Sequence, residues 1–132
     1  MDFRDAMRGE CNYKCTIYHC ILAIDLAIKY GWYIPSKFDV TEYQTLEKIE
    51  NGDMNWIVPG KFLAFATPID SGKTNDYYSH NPEFFIPVFK KLGIKHVIRL
   101  NKKEYDSSKF IKAGINHTDL YFLDGTPPPD VD

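Results

Sequence analysis

The sequence predicts an α/β domain, and three features carry that prediction. Two helical segments with recognisable start and stop residues lie in the first half. A pair of short apolar segments is folded about Pro59-Gly60. Near the other end, "IKHVIRL" and "TDLYFL" flank a short helical stretch. Strand, helix and strand in so few residues imply a parallel pair joined by a crossover.

In chain order, "TIYHCILAIDLAIKYGW" (16–32) sets Ile17, Ile21, Ile24 and Ile28 on one helical face, with Tyr18, Leu22 and Leu26 widening the stripe and Gly31 as the stop. A helix apolar over so much of its circumference is expected to be covered by protein. "FDVTEYQTLEKIENGD" reads as a second helix from Asp39 to Asn51. Asp39 and Glu42 form a capping-box pattern, and Asn51-Gly52 closes it. "NWIVPGKFLAFATP" reads as two strands that offer Trp56, Ile57, Phe62 and Phe65 to a core. A polar loop from Asp70 to Ser79 precedes Asn81-Pro82, a cap followed by proline, which starts a helix ending at Gly93. Pro87 removes one backbone bond inside it and is expected to kink it. A further short helix runs from about Ser107 to Ala113, stopped by Gly114. The rings at 84, 85 and 89 have core spacing, and the lone His80 is expected to be a local hydrogen-bond partner.

At 132 residues the chain has the length of one domain. Hydrophobic residues make up 44% and charged residues 26%, which excludes a disordered polymer. A net charge of -2 with no basic cluster beyond Lys102-Lys103 argues against nucleic acid as a partner. Apolar runs such as Ile21 to Ile24 are far short of a membrane span, and "MDFRDAMRGE" lacks the pattern of a secretory leader, so a nuclear or cytoplasmic location is expected. Cys11, Cys15 and Cys20 are expected to be reduced and packed inside, not to bind metal. Glycine-rich phosphate loops and paired metal-ligand patterns do not occur, and no cofactor is expected. In a parallel pair the functional edge is the carboxyl end of the strands, here "RLNKK" (99–103) and "DGTPPPD" (124–130).

Three stretches, "FDVTEYQTLEKIENGDMNWIVPGKFLAF", "FKKLGIKHVIRLNKK" and "DLYFLDGTPPPD", closely resemble the mitotic-exit dual-specificity protein phosphatases of the cell-division-cycle-fourteen type. Upstream, "FRDAMRGECNYKCTIYHCILAIDLAIKYGW" resembles the end of that family's inactive first domain and its connecting helix. The resemblance implies a protein tyrosine phosphatase-like three-layer α/β fold, present in part. Residues 1–36 would close the non-catalytic domain, and 37–132 would supply a linker helix and the amino-terminal half of the catalytic domain. It implies phosphoprotein substrates, phosphoserine before proline and phosphotyrosine, hydrolysed through a cysteinyl-phosphate without metal.

The family's nucleophile lies in a His-Cys-x-x-Gly-x-x-Arg loop, which these 132 residues do not contain. His19-Cys20 is followed by "ILAIDLA", with neither the glycine nor the arginine, and is expected to be core. The carboxyl-terminal half of the domain, bearing the nucleophile and phosphate-binding arginine, is therefore expected as a missing partner, and the chain alone as inactive. The resemblance makes Asp124 the general acid and base; without it, Asp-Gly after a strand is a common turn. Glu47 matches one acidic position of a groove accepting basic residues of the substrate, and Gln44 stands where the family has another. Glu47 read plainly is a solvated helix residue near Lys48. "TPPPD" departs from the family's single proline and is expected to stiffen the acid loop. The alternative to an enzyme is a non-catalytic module that binds phosphoproteins or partner subunits.

Overall fold

The computed structural model describes residues 2–3, 15–70, 79–126 and 128. Cys11, the body of the polar loop after Asp70 and most of the proline run lie outside the described residues. The chain divides into two compact units, Met1–Asp39 and Val40–Asp132.

In the first unit, β1 (Asp2–Phe3) pairs antiparallel with β2 (Cys15–Thr16), which leads directly into α1 (Ile17–Lys29). The start of α1 is a capping box of unusual composition. Thr16 Oγ1 accepts from the His19 amide at 3.3 Å, and the Thr16 amide donates to His19 Nδ1 at 3.2 Å. Gly31, at φ +67°, ends the helix as expected. Its amide donates to Ile28 at 3.0 Å and that of Trp32 to Ala27 at 2.8 Å, so two otherwise unpaired carbonyls are satisfied.

The expected burial of this segment is not observed. No residue of α1 is buried, and Ile17, Ile21, Ile24 and Ile28 all stand exposed. Cys20 is exposed and Cys15 half-buried, with their sulfurs 3.9 Å apart, so His19-Cys20 is not core. The helical periodicity was correct, but nothing among the described residues covers the apolar stripe it creates.

The second unit begins with α2 (Val40–Leu46), then a 3-10 turn (Ile49–Asn51). The single helix expected from Asp39 to Asn51 is thus broken at Glu47-Lys48, where Lys48 is extended. The Asn51 side chain explains the break: its Nδ2 donates to the Thr45 carbonyl at 2.7 Å, taking the acceptor a further helical turn would have used. Gly52 follows at φ +105°, and a Cβ there would lie 2.7 Å from the Phe85 ring. Only glycine lets the chain pass this close to the core.

Strands β3 (Met54–Val58) and β4 (Phe62–Phe65) form the expected antiparallel pair about Pro59-Gly60, with an irregularity between Trp56 and Val58. Alternation sends Met54, Leu63 and Phe65 inward. Ile57 and Phe62, expected in the core, lie on the opposite face and are 66% and 62% exposed. Trp56 is half-buried.

Helix α3 (Pro82–Leu92) is continuous through Pro87. Asn81 caps it by accepting from the Phe84 amide at 3.0 Å, and Gly93 closes it at φ +75°. Its Phe85 and Phe89 are the centre of the core. Phe65 meets both edge-on at 5.2 and 5.0 Å, and Phe110 stacks on Phe89 at 5.9 Å. His80 stacks on Phe84 at 3.6 Å and donates from Nε2 to the Ile49 carbonyl, so it is a hydrogen-bond partner as expected, though of a residue distant in sequence and not a local one.

The predicted strand–helix–strand unit follows. β5 (His96–Arg99), α4 (Ser108–Lys112) and β6 (Asn116–Asp119) form a parallel pair with the register His96↔Asn116 to Arg99↔Asp119. The assigned strand starts two residues before the expected one. Its chain still follows β5 beyond Asp119, since the amides of Leu120 and Phe122 donate to Arg99 and Leu100 at 2.9 and 3.2 Å.

The two pairs, β3/β4 and β5/β6, are separate two-stranded sheets. Between β4 and β5 lies a cleft of about 710 Å³, lined by Phe62, Phe65, Phe89, Leu92, Ile98 and Leu120 among others. Unpaired strand edges and bare apolar faces make a weakly cooperative fold. The isolated 132-residue chain is expected to unfold over a broad temperature range and to bind a hydrophobic dye before heating; a sharp two-state melt without dye binding would contradict this.

Candidate active site at the carboxyl end of the parallel pair

The carboxyl ends of β5 and β6 converge on one buried cation. Arg99 continues the inward series of Val97, and its whole residue is only 4% exposed. Its register partner Asp119 answers it: Nε donates to Oδ1 at 2.8 Å and Nη2 to Oδ2 at 3.0 Å, a two-pronged pair. Nη1 donates to the Tyr105 carbonyl at 2.8 Å, and the guanidinium lies 4.6 Å from the centre of the Tyr105 ring.

The cluster closes through His117. Burial pushes the Tyr105 phenol up to about 12, and its hydroxyl is hydrogen-bonded to His117 Nε2 at 2.8 Å. Burial first, and the Arg99 charge second, lower the His117 pKa, leaving the imidazole neutral at pH 7. Its Nδ1 lies 3.8 Å from Asp119 Oδ1. The Arg99 hydrogen bonds hold the Asp119 carboxyl below its ordinary value.

Asp124 is carried by the turn that follows. Thr126 donates to the Leu123 carbonyl twice, from its amide at 3.1 Å and its hydroxyl at 2.6 Å, with Gly125 at φ +75°. Asp124 is exposed on this turn, five residues past the carboxyl end of β6. Asn101, at the end of β5, donates from Nδ2 to Thr67 Oγ1, tying this edge to the segment after β4. On the far side of the loop, Lys109 bridges Asp70 and Glu83 at 2.7 and 2.8 Å.

Glu47 is borne by a different substructure. It lies just past the end of α2, and its carboxylate accepts from the Tyr43 hydroxyl, raising that phenol's pKa. Its partner is therefore Tyr43, not Lys48. Gln44 is exposed on the same helix.

No protein-family model matches the chain. Curated proteins do. It is 47% identical over 131 residues to the Homo sapiens "Dual specificity protein phosphatase CDC14A", covering 98% of the chain and 22% of that protein. It is 43% identical over 129 residues to the Caenorhabditis elegans "Tyrosine-protein phosphatase cdc-14" and 36% identical over 135 to the Schizosaccharomyces pombe "Tyrosine-protein phosphatase CDC14 homolog". By sequence, the chain belongs to the CDC14 family. It spans between 18% and 22% of the length of the human and worm relatives, so it corresponds to a segment of a CDC14 protein. CDC14 membership also accounts for the fold as part of a phosphatase-type α/β domain.

The Arg99–Tyr105–His117–Asp119 cluster was not singled out by sequence reasoning. One signal was available: an arginine on the apolar side of an alternating strand needs a partner. The pKa directions give two expected outcomes. A native-state carboxyl held below its unfolded value stabilises above that value, and the gain is lost as pH falls through the folded one. For Asp119 this loss lies below pH 3.8. His117, depressed as a base, likewise stabilises above pH 6.5 and loses the gain as pH falls below it. NMR titration is expected to give midpoints below 6.5 for His117 and below 3.8 for Asp119; ordinary midpoints would contradict the burial and pairing described.

Proposed function

We propose that this chain is part of a protein phosphatase that hydrolyses phosphoserine before proline and phosphotyrosine through a cysteinyl-phosphate, in control of the cell cycle. The observation that carries the reading is near-complete alignment of the chain with proteins named as dual-specificity and tyrosine phosphatases. On this reading residues 1–36 end a non-catalytic domain, and 37–132 begin the catalytic one. The remainder of the protein brings the Cys nucleophile and the phosphate-binding Arg. One of its strands fills the cleft between β4 and β5, converting two open pairs into one sheet.

Asp124 then protonates the departing serine or tyrosine oxygen and afterwards takes a proton from the water that attacks the phospho-enzyme. An exposed carboxylate on a turn at the strand ends has the access this requires. Glu47 contributes negative charge to the groove that accepts basic residues of the substrate, weakened by the neutral Gln44. The Tyr43 hydroxyl fixes its carboxylate. The 132-residue chain has no nucleophile loop and turns over nothing by itself.

The test is made on the full-length gene product. Asp124→Asn is expected to lower kcat on a phosphoserine-proline peptide by about 10²-fold or more, the range for loss of a general acid. Glu47→Lys is expected to raise KM for a peptide with a basic residue after the proline, sparing one without it. Full-length protein that binds such peptides without hydrolysing them would replace this reading with that of a binding module.

A further inference from the structure

We propose that the Arg99–Asp119 pair is the positioning device of the acid turn: it fixes the register of β6 at the point from which the chain leads to Asp124. This rests on Asp124 being the acid, as proposed above. Arg99 is locked from several sides, by both Asp119 oxygens, by the Tyr105 carbonyl and by the Tyr105 ring, and is almost completely buried. It therefore serves as a fixed post. From that post the approach to Asp124 is secured at successive points along β5. The Asp119 side chain is held by the Arg99 side chain, the Leu120 amide by the Arg99 carbonyl, and the Phe122 amide by the Leu100 carbonyl. Beyond Phe122, the turn's hydrogen bonds among the described residues are its own, from Thr126 to Leu123.

A general acid works within about 2.6–3.2 Å of the oxygen it protonates, and a displacement of about 1 Å can cost about 10²-fold in rate. A side chain that sets strand register five residues before the acid can therefore affect proton donation without touching substrate. The signature is selective. Leaving groups that need a proton suffer, whereas an acidic phenol, which departs as the anion, does not. A pair with a purely structural role would lower activity on all substrates alike.

The experiment uses the full-length protein and measures kcat/KM on aryl phosphates of falling phenol acidity and on a phosphoserine-proline peptide. Asp124→Asn sets the reference steepness. Asp119→Asn keeps the shape of the side chain, and Arg99→Lys keeps the charge but loses the two-pronged geometry; at least one is expected to fold even if the other does not. Each is expected to lose about tenfold or more on the peptide and less than about threefold on the most acidic phenol, approaching the Asp124→Asn slope. A steep Asp124→Asn series beside flat Asp119→Asn and Arg99→Lys series would overturn the positioning role while leaving the acid assignment intact. A flat Asp124→Asn series would overturn both, and is recognised as the failure of the acid assignment.

Discussion

A guanidinium inside protein must keep its acceptors, and the carboxyl end of this domain is arranged around that demand. Removing one partner of a buried ion pair costs about 3–5 kcal/mol, because the other charge is left without water or counter-charge. Asp119 is more than a third exposed, so solvent screening brings the cost here below that range. The demand fixes several things together. It selects Asp119 as the register partner of Arg99 and draws the Tyr105 carbonyl inward. The Arg99 charge adds to burial, the larger cause, in lowering the His117 pKa. A strand pair of only four residues on each side gains from a bond that a one-residue slip would break.

The remainder of the domain is built of aromatic contacts and stops short of closure. Phe85, Phe89 and Phe110 form a core shared by α3, α4 and the inward faces of the strands. Beside it, β4 and β5 face one another across an apolar cleft. The same incompleteness shows at Ile57, Phe62, Ile98 and Leu120, large apolar residues that remain in solvent. In α1, an apolar stripe faces no described partner. A segment about a fifth the length of its human relative would be expected to leave such surfaces bare.

Local chemistry was the part of this fold most legible in the sequence. Asn81-Pro82, Gly31, Gly93 and Gly114 end or begin helices where propensity and capping rules put them, because those effects act within one turn of chain. The hairpin about Pro59-Gly60 and the parallel pair were legible for the same reason. Long-range consequences were less so. The break at Glu47-Lys48 depends on the Asn51 amide and on Gly52 pressing against Phe85, a residue more than thirty positions away. Burial of Cys20, Ile57 and Phe62 was misjudged because apolar character predicts a need for cover, not its presence in a given segment. Asp124 and Glu47 were named from family resemblance; periodicity and spacing alone gave an ordinary turn and an ordinary helix residue. Arg99 was passed over because its meaning lies in Asp119, twenty residues on, and only pairing brings them together.

The central claim, that Arg99 is a fixed post for β6, is tested most directly by the Arg99 Nε–H signal in the NMR spectrum of the full-length protein. The bond to Asp119 predicts a resolved resonance that exchanges slowly with water and persists as pH falls to the ordinary carboxyl value of 3.8, since the pairing holds the Asp119 carboxyl below it. It should vanish in Asp119→Asn. A rapidly exchanging signal averaged with those of solvent-exposed arginines would mean that the guanidinium is not held, and that the acid turn takes its position from something else.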